Sequence, residues 1–187
     1  MKKIVLILAV VLVVSSMMIA QDATPKSKSG DRAWLFTLGG LGSLSAGDYN
    51  GGVGIKYYIK DNLAIRGSLG FTKIDNPDPA PPAQPTPDPS IFTISGGLLY
   101  NYATNGPVLA YLGGEVIYNS FNNGQQGASS VNTFGVAGVA GVEWFAWSNV
   151  SLTGEYKLSF ISSGDPSTQV FNLGSASSSN LTVSVYF

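Results

Sequence analysis

The strongest constraint in this chain is a two-residue alternation that recurs from Arg32 to its last residue. The final stretch shows it plainly: Leu181, Val183, Val185 and Phe187 fall on one side, Thr182, Ser184 and Tyr186 on the other. A period of two belongs to a β-strand with one apolar face. Seven earlier segments carry the same pattern. They lie near Arg32–Gly42, Gly51–Ile59, Leu63–Thr72, Ile91–Tyr102, Val108–Asn119, Thr133–Trp144 and Val150–Phe160, with an eighth strand near Ser177–Phe187. Eight strands with apolar residues at every second position restrict the fold to an all-β sheet that buries one face and has to dispose of its edges.

Connections between the segments alternate in length. Lys60-Asp61-Asn62, Ala103–Pro107 and Phe145–Asn149 are tight turns, whereas Ser43–Asn50, Lys73–Ser90, Ser120–Asn132 and Ile161–Ala176 are longer. Paired residues across an antiparallel hairpin must face the same side. The turn lengths predict Ile59 opposite Leu63, Tyr57 opposite Ile65, Tyr102 opposite Val108 and Trp144 opposite Val150. Every pair is apolar, so turn length and pattern agree in three separate hairpins.

Charge decides which face is outside. Only 11% of the 187 residues are charged, against about 25% in ordinary soluble domains. The non-apolar face is mostly small, as at Gly52, Gly54, Ser68, Gly70, Ser95, Gly135 and Ser151, which suits the crowded interior of an eight-stranded barrel. The apolar face has no charge within any strand except Arg32 at the start of the first. Its aromatics fall in two groups: Trp34, Tyr57, Tyr102, Trp144 and Phe187 near the tight turns, and Phe71, Phe92, Tyr118, Phe134 and Phe160 farther along. Roughly 9–11 residues of tilted strand cross a bilayer. Two aromatic belts around an aliphatic band are therefore the expected membrane-facing pattern, with the long loops outside the cell.

With that pattern established, the chain resembles the small eight-stranded outer-membrane proteins of the A and X type, the outer membrane protein beta-barrel domain group. The likeness is carried by the strand–turn–strand from Val53 to Arg66 (VGIKYYIKDNLAIR) and by the C-terminal Phe187. It implies an eight-stranded antiparallel up-and-down transmembrane barrel in the outer membrane of a Gram-negative bacterium. It also implies that Leu181, Val183, Val185 and Phe187 are a signal for the barrel assembly machinery. Ser177 and Ser179 depart from the pattern by facing lipid, which suggests that the last strand is short or starts later.

Residues 1–20 have the form of a signal peptide: Lys2 and Lys3, an apolar run Ile4–Val14, then small residues up to Ala20. Residues 21–30 read as a flexible periplasmic lead-in, and 31–187 as the barrel domain. The whole chain carries a net charge of −1, and nothing in it suggests nucleic-acid binding.

Six charged residues share the inward parity: Lys56, Arg66, Glu143, Glu115, Glu155 and Lys157. Lys56, Arg66 and Glu143 are expected at one depth and Glu115, Glu155 and Lys157 at another, giving two interior ion-pair layers in which Glu143 serves the two cations opposite each other. Buried charges must be paired. Leu35, Leu99, Leu109, Ile117 and Val139 share that face, so the reading is a lumen filled by side chains; the alternative is a narrow porin-like pore for small solutes or ions.

There is no His and no Cys. Outer-membrane enzyme barrels resemble one another in using a catalytic His, so no catalytic residue is assigned. No metal or cofactor site is assigned either: the glycines follow strand spacing, and Asp75, Asp78 and Asp88 are not spaced as a calcium loop. Seven of the ten prolines lie between Asp75 and Ser90, making loop 74–90 a stiff, extended surface segment that is a candidate for contact with a surface ligand. The expected partners are outer-membrane lipid and, during biogenesis, the assembly machinery. The expected state is a monomer.

Overall fold

The computed structural model describes residues 23–38, 49–73, 76, 87–124, 130–163, 169–173 and 181–187. The expected signal peptide, most of loop 74–90 and Ser177 and Ser179 lie outside the described residues. Nine strands follow in chain order: β1 (Arg32–Leu38), β2 (Tyr49–Lys60), β3 (Leu63–Lys73), β4 (Ser90–Asn105), β5 (Val108–Asn122), β6 (Val131–Trp147), β7 (Val150–Ser163), β8 (Gln169–Leu173) and β9 (Leu181–Tyr186). Each strand from β1 to β6 pairs antiparallel with the next. Two strands then share the flank of β7: β8 pairs with it from Leu158↔Leu173 to Ser162↔Gln169, and β9 from Val150↔Val185 to Gly154↔Leu181. Pairing of β9 with β1 closes the ring. The fold is a closed eight-stranded antiparallel barrel whose eighth position is divided between β8 and β9.

That division corrects one expectation: the stretch read as a loop, Ile161–Ala176, contains the end of β7 and all of β8. Five residues, Gln169–Leu173, alternate too briefly to register as a strand, yet they satisfy the backbone of β7 beyond the reach of β9.

The tight turns also differ in detail. Each is a two-residue turn accompanied by a bulge. Lys60 pairs with Leu63, Asn105 with Val108 and Trp147 with Val150, and the register slips between Tyr58 and Lys60, Asn101 and Ala103, and Phe145 and Trp147. Asn62 and Gly106 adopt positive φ, at 64° and 54°, which a turn this short demands of residues that tolerate it. Beyond the first bulge Tyr57 pairs with Ile65 as expected. Beyond the other two, Tyr100 pairs with Leu112 and Trp144 with Leu152, so the predicted pairs Tyr102–Val108 and Trp144–Val150 are displaced by two residues. A shift of two preserves facing, so the apolar residues still share one side.

One inward row can be followed across the wall through ladder partners: Leu35, Gly54, Ser68, Ser95, Ile117, Gly135 and Ile161. On the inward parity Leu35 and Leu109 are 5% and 0% exposed, while the outward Leu98 and Leu112 are each 52% exposed. Charge is distributed in the opposite sense, with Lys56, Glu115 and Glu143 all buried. A continuous outward surface of Leu, Val, Ile and aromatic residues is far larger than the apolar patches that water tolerates, whereas hydrocarbon accommodates it. Every described strand except β8, which pairs with β7 alone, has a partner on both sides, and β9 on β1 closes the ring, which is the condition for crossing lipid with strands.

Candidate functional site

The site is the lumen, built in tiers from the short-turn end. At its base residues 23–31 dock against the turn between β2 and β3. The Asp61 carboxylate accepts hydrogen bonds from the Ser29 backbone N–H at 2.9 Å and the Lys28 ammonium at 3.2 Å. Asn62 N–H donates to Ser27 O at 2.8 Å, and Gly30 N–H to Tyr58 O at 2.9 Å. These bonds hold the Asp61 carboxyl below the usual carboxylate range, the Ser29 N–H contributing most and Lys28 next. Ala23 is buried in one cluster with Ala33, Leu35, Tyr58, Ala64, Leu109, Phe145 and Tyr186. The segment expected to be a flexible lead-in is therefore tied down over residues 23–30. Its polar composition gave no sign of this, because the acceptor that fixes it sits in a distant turn.

The first ionic tier lies above this apolar floor. Lys56 Nζ is 2.7 Å from Glu143 Oε2. The other oxygen of Glu143 accepts from Ser151 Oγ at 2.5 Å and from the Tyr186 hydroxyl at 2.8 Å. The ammonium also lies over the Tyr186 ring, 5.0 Å from its centroid. Tyr58 accepts a hydrogen bond from the Asn101 amide at 2.9 Å. Thus a buried cation and anion neutralise each other, and the anion's remaining lone pairs are engaged.

The second ionic tier holds four charges. Arg66 donates to Glu115 at 2.8 Å and also to Glu155. Lys157 donates to Glu115 at 2.5 Å, and the Tyr111 hydroxyl donates to Glu155 at 2.5 Å. Two cations and two anions again cancel. The structure brings together all six charged residues picked out by parity, but groups Arg66 with Glu115, Glu155 and Lys157 rather than with Glu143. The reason lies in the wall. Lys56, Arg66, Gly97 and Glu115 are successive ladder partners on β2, β3, β4 and β5. Gly97 has no side chain, so Arg66 reaches past it to Glu115. A Cβ there would stand 2.4 Å from Gly114 O and 2.7 Å from Glu115 Cβ. Gly141 plays the same part between Tyr111 on β5 and Glu155 on β7, where a Cβ would meet the Tyr111 ring at 2.3 Å.

Tyr58, Tyr111, Tyr186 and Phe145 were not among the residues the sequence singled out, although all are buried. Their parity with Lys56, Ser184 and Glu143 was the available signal. Phe145 was expected in a turn; it is the last inward residue before the β6 bulge and packs on Tyr186 at 5.3 Å between centroids.

On the outer surface Trp34, Tyr57, Tyr102, Phe187, Phe71, Phe92, Tyr118, Phe134 and Phe160 are exposed, and Trp144 is half-buried. Trp147, also read as turn, is exposed beside them. Phe71 pairs with Phe92, and Tyr118 with Phe134. At the closing seam Leu181, Val183 and Val185 pair with Leu38, Phe36 and Trp34. The Phe187 ring stacks on Trp34 at 6.3 Å and lies under the Arg32 guanidinium at 5.4 Å. Among the described residues no group of three His, Cys, Asp or Glu side chains is placed to hold a metal ion.

Outward apolar walls around a neutralised polar lumen define a membrane-spanning barrel protein of the outer-membrane type. The sequence matches the family described as outer membrane protein beta-barrel domain over residues 6–187; the chain belongs to that family, and its place is the bacterial outer membrane. No curated protein sequence matches it. Among solved structures it is similar to the N-terminal β-barrel domain of Pseudomonas aeruginosa OprF, with 12% identity, coverage of 87% of this chain and 100% of that one, and a TM-score of 0.54. It is also similar to Ail, the attachment invasion locus protein of Yersinia pestis, in complex with the heparin analogue sucrose octasulfate, with 15% identity, coverage of 85% and 99%, and a TM-score of 0.50. Neisserial surface protein A shares 19% identity over 84% of this chain and 90% of that one, with a TM-score of 0.48.

Proposed function

We propose that this protein is a non-enzymatic, monomeric outer-membrane barrel whose lumen is plugged and whose role is structural or surface-interacting, exerted through its long loops. The observation that carries the reading is the filling of the lumen by two neutral ionic tiers above an apolar floor. Opening a water path would leave charges such as Lys56 or Glu143 without their partners in a low-dielectric interior, which is costly. The Pro-rich loop 74–90 is the candidate contact for a surface ligand, since a preformed extended segment loses little entropy on binding. In biogenesis the C-terminal Leu181, Val183, Val185 and Phe187 are the segment offered to the assembly machinery, and the two aromatic groups anchor the finished barrel at the lipid interfaces.

A second reading is a narrow pore for small solutes or ions. It is favoured by a cavity above the second tier whose lining includes Arg66, Glu115, Glu155 and Lys157. Planar-bilayer recording separates the two. The plugged barrel gives no stepwise conductance; regular single-channel steps from the pure protein would refute it and establish the pore.

A further inference from the structure

Above the second ionic tier the lumen holds a cavity of about 190 Å³. At about 30 Å³ of liquid volume per water, this is room for a small molecule of a few heavy atoms. Its floor is not electrically even. The side chains of Glu115, Glu155 and Arg66 are 2%, 6% and 10% exposed, whereas that of Lys157 is 27% exposed. All four line the cavity, but Lys157 is the most exposed of them, so a guest meets more of its side chain than of either carboxylate. Of the three N–H groups on Lys157, one is engaged by Glu115 at 2.5 Å; Glu155 Oε2, at 3.9 Å, is beyond hydrogen-bond reach.

The walls add donors. Thr37 and Thr182 share one hydroxyl–hydroxyl hydrogen bond of 3.0 Å, and Ser68 and Ser95 share another of 2.6 Å. All four residues line the cavity. Two hydroxyls have two protons, and one O···O contact uses one of them. Each pair is thus left with a proton that can be given to a guest. A cation and two hydroxyl donors lining one recess are the complement of an oxyanion.

We propose that this cavity is a binding well for a small oxyanion, a carboxylate or phosphate, held by Lys157 with the Thr37–Thr182 and Ser68–Ser95 hydroxyl pairs. Nothing in the proposal requires passage through the barrel. Binding without conductance and binding with conductance both satisfy it, so its failure is separate from failure of the plugged-lumen reading.

The test is NMR on the folded mature chain in zwitterionic detergent, titrated with inorganic phosphate in one arm and lactate in another, with chloride at matched ionic strength as control. Saturable shifts of the Ser68, Ser95 and Thr182 amides and of the Lys157 ammonium are expected in at least one oxyanion arm, and the tighter arm identifies the chemistry. Lys157→Met should weaken binding about tenfold or more, as loss of a charge-assisted hydrogen bond does. Gly70→Leu is the second variant: a Cβ there makes only ordinary contact, 3.5 Å from Thr93 Cβ, and the side chain enters the well. It should abolish saturation while the dispersed amide spectrum expected of a folded barrel is kept. Shifts that stay linear, that chloride reproduces, or that survive Gly70→Leu in a folded barrel would show an adventitious ion only and overturn the proposal.

Discussion

Replacing Glu143 with Gln isolates what the first ionic tier contributes. The side chains have nearly the same shape, so packing is kept and one charge is lost. Three donors converge on the carboxylate: Lys56 on Oε2 at 2.7 Å, and Ser151 and Tyr186 on Oε1 at 2.5 and 2.8 Å. An amide has a single acceptor oxygen. If that oxygen keeps the two hydroxyls, the NH₂ group faces the Lys56 ammonium, donor against donor. If the amide flips, Lys56 regains an acceptor but not an anion, and both hydroxyls must reorient. Lys56 and Glu143 side chains are 6% and 1% exposed, so solvent cannot compensate. Stranding one member of a buried pair costs about 3–5 kcal/mol. The double variant Lys56→Met/Glu143→Gln removes both charges and should recover most of this, ending within about 1–2 kcal/mol of the parent, since apolar replacement of a whole buried pair is often neutral. Urea unfolding in phospholipid vesicles, followed by tryptophan fluorescence, measures all three proteins. A single variant that loses under about 1 kcal/mol, or a double variant no more stable than the single one, would refute the reasoning.

Other perturbations probe the wall and the base. Gly97→Ala forces a Cβ to within 2.4 Å of Gly114 O and should destabilise by about 1–3 kcal/mol, as overpacking does; an unchanged urea midpoint would show that the wall yields freely. Leu112→Arg, on the 52% exposed outward face, should cost about 2–4 kcal/mol near the bilayer midplane, and a neutral result would contradict the facing. Asp61 has its folded pKa depressed by Ser29 and Lys28. Its hold on residues 23–31 is therefore fully present above the ordinary carboxylate pKa and lost as pH falls through the depressed value. Hydrogen exchange at the Ser29 amide should speed up in acid beyond its intrinsic pH dependence, and Asp61→Asn should abolish that excess; equal behaviour of the two proteins would count against the latch.

Facing was legible in the sequence because every strand from Arg32 onward except β8 repeats one parity, and parity alone picked out six charges for the inside. Register was less legible, for a physical reason. At Tyr102 and Ala146 a bulge adds a residue beside a turn that is shorter than the pattern suggested, and the resulting shift of two leaves every side chain on its expected face. Periodicity cannot detect such a slip. Partner choice was hidden too. Lys56 and Arg66 are adjacent in register, yet their counter-ions lie in different directions, and Gly97 decides this by being absent as a side chain. The docking of residues 23–30 depended on Asp61, more than thirty residues downstream of Ser29, which composition of the segment itself could not reveal. Strand β8 escaped notice because five residues carry too little alternation to outweigh a long polar surround.

Closure of the wall by β1 and β9 has a kinetic consequence. The strand nearest the beginning, Arg32–Leu38, finds one of its two neighbours only in Leu181–Tyr186. Its free edge therefore waits until residues 181–186 have been synthesised. Any shorter intermediate exposes two unpaired backbone edges, and lipid penalises each unsatisfied group by several kcal/mol. The entropy of joining such distant segments grows only logarithmically with their separation, but it must be met before the contacts that reward it form, which makes non-local topologies slow. Insertion is accordingly expected to await β9 and to be all-or-none, with a chain cut after Leu173 unable to seal even though β1 to β7 are in place.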